Sequence, residues 1–493
     1  MNNKDRIISS IGFVLTLVLP SCNAGQLNVP AFEHDPNKRI HITAYSGPTR
    51  AKLVTPTSPE TLTEEHMRKV SEAGFTKILA LYEGAGRQVG NDTYEIIENL
   101  SQKAQEDALI ALDLAEQFGI KYYVRDWSFY GMVKQYADPT YNHPAILTDE
   151  QYDKVLKKMF DENNQYIHHP AYAGNFCHDE PFYNELDRIA VQVDLYQKYM
   201  AEQNAYGEPI VNLLPMTAGA DAFSGHSYYE YVDHYFDLIA PKVGFVSYDF
   251  YPFREDKDDG SYLKDLYVPN LNLMATKCKD NNIDLRTFIQ AEGDFTGTRS
   301  MTGAADFRFQ IYTELAFGSK EIIYYEYANA KSQADPEADY ALFNTETEEY
   351  NWTYDAAKLV NNEIHQIEDA YLQYKWDGVM YKCANELIEN IGFSYLKGEK
   401  YTFTSHPRVS IENCERDALM GVFKNEANDD AFMLVNYTDP YFKFNNKVTL
   451  HFNNAKGLLM YRLGQKMVVD LPSSGNYTFD LYPGEGRFII PIN

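Results

Sequence analysis

Between residues 39 and 330 the sequence alternates short β-rich apolar runs with amphipathic helical segments, and no other feature restricts the possible folds as much. The runs are Ile40–Ser46, Phe75–Tyr82, Ile120–Trp127, Ala173–Glu180, Ile210–Pro215, Gly244–Tyr251, Arg286–Glu292 and Glu321–Tyr327. Among the segments between them, Glu64–Glu72, Thr93–Phe118, Asp149–Gln165 and Leu186–Tyr206 carry apolar residues at three- and four-residue spacing, the period of a helix with one buried face. Several runs start just after a glycine, as at Gly74, Gly119 and Gly318, where a helix must stop before a buried strand begins. Eight strands alternating with helices predict an α/β fold, a (β/α)8 TIM barrel rather than an open doubly wound sheet. No GxGxxG follows the first run, which removes the dinucleotide-binding fold as a rival.

Asn351–Leu372 reads as a long amphipathic helix closing the barrel. Beyond Tyr374 the period changes to two, in Ala418–Phe423, Asp430–Tyr437, Lys447–Phe452, Gly457–Tyr461, Tyr477–Leu481 and Gly486–Ile490. Turn residues separate these runs, so a small antiparallel β-sandwich is expected over 374–493, after a barrel over 39–373. At the other end, Lys4 and Arg6 precede an apolar run from Ile7 to Leu19 that is too short to span a membrane. It ends in Leu19-Pro20-Ser21-Cys22, which resembles a bacterial lipobox with Cys22 as the lipidated residue. Residues 1–22 therefore read as a lipoprotein signal peptide and 23–38 as a tether. The expectation is an exported protein held in the bacterial cell envelope by a lipid anchor alone. Cys177, Cys278, Cys383 and Cys414 form no CxxC pair, and both a Cys383–Cys414 bridge and unpaired buried thiols are open.

A formal net charge of −27 repels phosphate backbones and excludes nucleic acid as a partner. No HExxH, EF-hand loop, GxSxG or P-loop occurs, so neither a metal nor another cofactor is expected. In a barrel the chemistry sits at the C-terminal strand ends. Those ends carry Tyr45, Glu83, Arg125-Asp126-Trp127, His178-Asp179-Glu180, Tyr248-Asp249-Phe250-Tyr251, Glu292-Gly293-Asp294 and Tyr325-Glu326. Carboxylates framed by aromatic rings suit a sugar-cleaving pocket: acceptors hold hydroxyls, a ring stacks on the sugar face, and two carboxyls flank the scissile bond. The 40 Tyr residues supply such apolar faces with a polar edge, although most serve packing. Candidate substrate contacts are Tyr45, Glu83, Asp126, Trp127, His178, Asp179, Tyr248, Asp249, Tyr251 and Glu326, with Trp127, Tyr248 and Tyr251 as ring platforms. Glu326 is a rival nucleophile on the eighth run, expected instead either to bind a hydroxyl or to pair with an arginine, Arg299 or Arg308.

Glu180 and Glu292 stand on the fourth and seventh runs. That arrangement, with the wording FCHDEPF, SYDFYPF and LAFGSKEIIYYEY, resembles clan A of the glycoside hydrolases, in particular its beta-galactosidase-like members. The resemblance covers residues 39–372. It implies that Glu180 is the general acid/base and Glu292 the nucleophile of a retaining hydrolase acting on a glycan, with the carboxyls about 5–5.5 Å apart. Asp179 departs from the clan, which has asparagine before its acid/base glutamate. An ionised aspartate accepts a sugar hydroxyl but cannot donate to it, and its charge favours the protonated form of Glu180. The alternative function is a non-catalytic glycan-binding lipoprotein with the same pocket. The sequence does not set the oligomeric state.

Overall fold

The computed structural model describes residues 27–48, 61–80, 93–126, 166–256, 260–293, 298–329, 341–345, 347–385 and 390–493. Eight parallel strands form a closed barrel: β1 (His41–Tyr45), β2 (Lys77–Leu79), β3 (Lys121–Val124), β4 (Tyr172–Asp179), β5 (Glu208–Leu213), β6 (Phe245–Asp249), β7 (Asp284–Gln290) and β8 (Glu321–Tyr325). Neighbours run β1-β8-β7-β6-β5-β4-β3-β2, so each of the eight predicted runs supplies one strand. The helices among the described residues include α1 (Glu64–Glu72), α2 (Thr93–Gln117), α3 (Leu186–Glu202), α4 (Tyr228–Leu238), α5 (Tyr267–Asn281), α6 (Ala304–Ala316) and α7 (Trp352–Tyr371). Thr63 caps α1 by accepting from the His66 N–H, and Gly74, with φ +81°, follows the turn that ends it. The helix expected over Asp149–Gln165 lies outside the described residues.

Alternation along the strands sorts side chains into two cores. On β8, Ile322 and Tyr324 join the layer between strands and helices, while Ile323 joins the barrel interior. The interior is tiered. At its base Lys77, Glu208, Arg286 and Glu321 form an ion cluster, with Lys77 2.8 Å from Glu321 and Arg286 2.8 Å from Glu208. Above it lies an apolar belt of Tyr45, Leu79, Tyr123, Phe176, Ile210, Phe245, Phe288 and Ile323. The belt seals the base from the mouth, where the polar strand ends converge.

The C-terminal region holds a six-stranded antiparallel sheet, in the order 375–382, 418–424, 430–436, 486–492, 457–462, 465–470, and a three-stranded sheet of 409–414, 446–452 and 476–481. The two enclose an apolar core that includes Val422, Leu434, Leu450, Met460 and Phe479, as a sandwich requires. Cys177, Cys278, Cys383 and Cys414 are all free thiols, so no Cys383–Cys414 bridge forms. Among the described residues no helix is long and apolar enough to cross a membrane.

Candidate active site

Which residues reach the mouth depends on a bulge in β4. Opposite β5, Phe176 faces Ile210, His178 faces Val211 and Asp179 faces Asn212, so Cys177 is an extra residue. Simple alternation from the inward Phe176 would bring His178 inside; the inserted residue reverses the parity and brings in Asp179. Asp179 accepts from the Tyr45 hydroxyl (3.2 Å) and from Asn212 Nδ2 (3.3 Å), and lies 3.6 Å from Arg125 Nη2. Arg125 is buried over the Phe176 ring, 4.7 Å from its centroid, and donates to the Tyr45 hydroxyl at 3.0 Å. Asn212 in turn donates to Asp249 (3.0 Å) and accepts from Ser247 (2.9 Å). These contacts hold Asp179 as a fixed acceptor.

Glu180 follows in the left-handed region, at φ +50°, a conformation that costs a non-glycine residue about 1–3 kcal/mol and persists where its surroundings enforce it. Its N–H donates to the Asn212 carbonyl (2.8 Å), and Tyr231 donates to the next carbonyl, that of Pro181 (2.9 Å). The turn takes the Glu180 side chain off the strand and exposes it to solvent. It lines a cavity of about 940 Å3 together with Tyr45, Asp179, Asp249, Tyr251 and Tyr325. Tyr325 lies 5.4 Å from the Tyr45 ring and 5.2 Å from the Tyr251 ring, giving the cavity an aromatic corner. Burial, then the charges of Glu180 and Asp179, holds the Asp249 carboxyl well above the usual carboxylate range.

Glu292, two residues beyond β7, is buried and accepts from Asn329 Nδ2 at 2.9 Å. Burial pushes its carboxyl up to about 7, against the stabilising hydrogen bond. Glu326, directly after β8, is buried beside it. It accepts from Ser46, and its carboxyl is raised well above the ordinary value by burial and then by Glu292, with Ser46, Arg125 and Asn329 opposing. Tyr325 joins the two groups of acids: after burial, the charges of Glu326, Glu292, Asp179 and Asp249 all act on its hydroxyl. The Tyr325–Glu326 peptide is cis.

Of the sequence-predicted residues, Tyr45, Asp179, Glu180, Asp249 and Tyr251 form the cavity wall. Glu292 and Glu326 lie at the same mouth but are buried, outside that wall. Three expectations are corrected. Asp126 is buried and accepts from Tyr166 (3.2 Å), because it follows the inward Arg125 and takes the opposite side. His178 is buried on the side of Val211, by the bulge. Tyr248 packs into the helix-facing core, since Ser247 and Asp249 take the inward positions of β6. The arginine partner expected for Glu326 is also corrected: Arg299 bonds Asp306 and Asp439, and Arg308 bonds Glu363. Glu83, Trp127, Asp294 and Cys22 lie outside the described residues. Arg125, Asn212, Ser46, Tyr325 and Asn329 were missed. For Arg125 the signal was available, two positions after the inward-facing Tyr123. Among the described residues no group of His, Cys, Asp and Glu is placed to hold a metal ion.

No protein-family model matches this sequence, and no curated protein does. Solved structures do resemble it. A catalytic mutant of a beta-galactosidase from G. stearothermophilus is 8% identical with a TM-score of 0.50, over 92% of this chain and 98% of that one. A beta-galactosidase from Bacillus circulans sp. alkalophilus is 9% identical with a TM-score of 0.46, over 92% and 99%. For the beta-galactosidase of the psychrophilic Marinomonas ef1 the identity is 11% and the TM-score 0.45; the match takes in 67% of this chain but spans only 60% of that enzyme's length. At such identities what is shared is the fold.

Proposed function

We propose that this protein is a retaining glycoside hydrolase acting on a glycan. The observation that carries this reading is an exposed carboxyl after β4, Glu180, on the cavity that Tyr325 also lines, with a buried carboxyl after β7, Glu292, whose charge acts on the Tyr325 hydroxyl. Glu180, open to the cavity, is suited to protonate the leaving glycosidic oxygen. The ionised Glu292 attacks the anomeric carbon as that bond breaks, giving a glycosyl ester. Glu180, now a carboxylate, takes a proton from water, whose oxygen displaces Glu292 and releases the sugar with its configuration retained. Asp179, fixed by Tyr45, Arg125 and Asn212, accepts a sugar hydroxyl. Asp249, whose carboxyl burial and the neighbouring acids hold well above the usual carboxylate range, lines the same cavity. Tyr251 and Tyr325 offer ring faces for stacking.

Replacing Glu292 by glycine removes the nucleophile but leaves room for an external one. Expected is loss of turnover, with azide restoring it as a glycosyl azide of inverted configuration. Glu180→Ala is expected to slow substrates with poor leaving groups by about 10²–10⁴-fold and activated ones much less. Full activity in Glu292→Gly would overturn the assignment. Oligosaccharide binding by the parent protein without release of reducing ends would favour a glycan-binding protein instead.

A further inference from the structure

The cavity reaches well past the groups that the proposed hydrolysis uses. Its volume of about 940 Å3 lies near the top of the range, about 300–1,000 Å3, that encloses a drug-sized ligand, so it has room for more than one sugar ring. Past the strand ends, its described lining comes from the segments after β4, β5 and β6: Phe182, the turns of 214–222, and a hairpin of Phe253–Asp256 and Gly260–Leu263. Glu292 and Glu326, after β7 and β8, lie outside this lining. The outward part of the cavity is therefore on the Glu180 side, where a sugar chain continues beyond the oxygen that Glu180 protonates.

Two large rings stand exposed on that part of the wall, Phe182 at 43% and Tyr262 at 47%. Both are set by firmly bonded backbone. On one side of Phe182, the Pro181 carbonyl accepts from Tyr231 (2.9 Å); on the other, the Tyr183 ring is clasped between those of His226 and His234, at 3.8 and 4.9 Å. The Phe182 N–H itself donates to Glu185 at 2.6 Å. In the hairpin, Ser261 and Phe253 share the face opposite to Tyr262. Ser261 donates to Asp439 (2.7 Å) and accepts from Arg299 Nε (2.7 Å), while Phe253 lies buried under the Arg299 guanidinium, 4.2 Å from it. Tyr262 is thus left to the cavity.

Between β4 and β6 in the barrel stands β5, and the segment after it lines the cavity with the small residues Thr217, Ala218, Gly219 and Ala222. Its turns are closed by Ala218 N–H to the Pro215 carbonyl and Ala222 N–H to that of Gly219, both 3.0 Å, and Met216 N–H donates to Asn270 at 2.7 Å. A ring fixed in water beside such an open floor forgoes the burial that an aromatic side chain ordinarily gains. The apolar face of a sugar ring supplies that burial, and the ring edge leaves the sugar hydroxyls in water.

We propose that Phe182 and Tyr262 are stacking platforms for sugars on the leaving-group side of the scissile bond, so that the preferred substrate is an oligo- or polysaccharide with a sugar beyond that bond for each platform. The proposal rests on the hydrolase reading and narrows its substrate class. Contacts this far from the reacting carbon add binding energy that long chains carry into the transition state and short ones lack.

The test uses galacto-, manno-, xylo- and cello-oligosaccharides with β-1,4 links, and malto-oligosaccharides, each from the disaccharide to the pentasaccharide. Calorimetric titration of the full chain carrying Glu292→Gln is expected to show, in at least one series, binding about 10- to 100-fold tighter for the tetrasaccharide than for the disaccharide. Phe182→Ala or Tyr262→Ala should each remove part of that ratio, and the two together should bring it within about threefold of unity. Phe182→Tyr and Tyr262→Phe keep the rings and should preserve it, with melting curves verifying that each variant is folded. Equal affinity at every length, a ratio unmoved by the double alanine variant, or no binding across the panel each overturns the platforms. Their side is read from hydrolysis by the parent protein in water labelled with heavy oxygen, which marks the fragment that had bonded to Glu292. Unmarked fragments of two or more sugars are expected from the tetrasaccharide, and release of single unmarked sugars overturns the proposal. Cleavage with no preference for length sinks the platforms alone, and length-dependent binding without cleavage sinks the hydrolase reading alone.

Discussion

Two buried carboxyls beside each other resist a second ionisation, and Glu292 and Glu326 are such a pair, both buried and both within reach of Asn329. Burial raises both carboxyls, that of Glu292 to about 7, and the charge of Glu292 adds to the rise of Glu326. A nucleophile must be ionised, so kcat/KM is expected to fall on the acid side with a midpoint near pH 7, well above that of an ordinary glutamate. Glutamine mimics a protonated glutamate, so Glu326→Gln should retain activity within about tenfold, whereas Glu292→Gln should abolish it. The same pair sets a stability trend. Carboxyls raised by folding bind more protons in the folded state, so the contribution of this pair to stability is greatest below about pH 4.5 and declines as pH rises through 7. Glu326→Gln removes part of that penalty and should stabilise the protein by roughly 1–3 kcal/mol at pH 8 and by nothing measurable at pH 4. Urea unfolding at both pH values checks this; an equal effect at both would mean that Glu326 titrates normally. Residue types at the strand ends were legible in the sequence, but their sides were not. Cys177 carries no mark of a bulge, yet it decides that Asp179, not His178, enters the mouth. Contacts such as Ser46 with Glu326 join residues 280 positions apart, and no spacing rule reaches that far.

At the scale of the element, the eight barrel strands were legible because helices cover one face and the barrel core the other, which makes them continuous apolar runs. The ionic tier at their base was not, since Lys77, Glu208, Arg286 and Glu321 stand on four separate strands. Glu321 is fully enclosed; burial alone would raise its carboxyl, but Lys77 and Arg286 outweigh burial and hold it at about 2. Thr43 adds a hydrogen bond at 2.5 Å. Glu321→Gln leaves two cations short of a counter-charge in the interior, and a loss of about 3–5 kcal/mol is expected. The variant should also lose part of the acid sensitivity of the parent, because a carboxyl depressed by folding stabilises above its unfolded value near 4.5 and ceases to as pH falls towards 2. Denaturant midpoints at pH 3 and pH 7 measure both effects, and a loss under 1 kcal/mol at pH 7 would show the tier to be dispensable. In the sandwich, the strand Gln465–Asp470 escaped the pattern because all its residues but the partly buried Val469 are exposed, so no alternation was written into it.

At the scale of the molecule, the barrel and the C-terminal sheets share a wall. Almost every residue from Asp306 to Ala316 of α6 is buried, which no helix covered on a single side requires. One side packs on the barrel; the other meets the six-stranded sheet so closely that two glycines are needed. A Cβ on Gly421 would stand 2.2 Å from the Ala316 carbonyl oxygen, and one on Gly484 would stand 2.1 Å from that of Ala305. Phe309 lies 5.3 Å from Tyr437, and Arg299 joins Asp306 of α6 to Asp439 of the sheet region at 2.7 and 2.8 Å. Asp439 also holds Ser261, so the hairpin that carries Tyr262 leans on the C-terminal region. A chain ending at residue 373 would expose the outer side of α6 and deprive Arg299 of Asp439. It is expected to be insoluble or to lack a cooperative transition. Gly421→Val in the full chain should destabilise by about 1–3 kcal/mol or more, because backbone rather than a flexible side chain blocks the added carbon. It should shift one transition rather than split it in two, since the seam belongs to both regions. Calorimetry of the three proteins decides the matter. A 1–373 chain that melts cooperatively near the temperature of the parent would mean that the barrel stands alone, and the hairpin would then need its support from within the barrel.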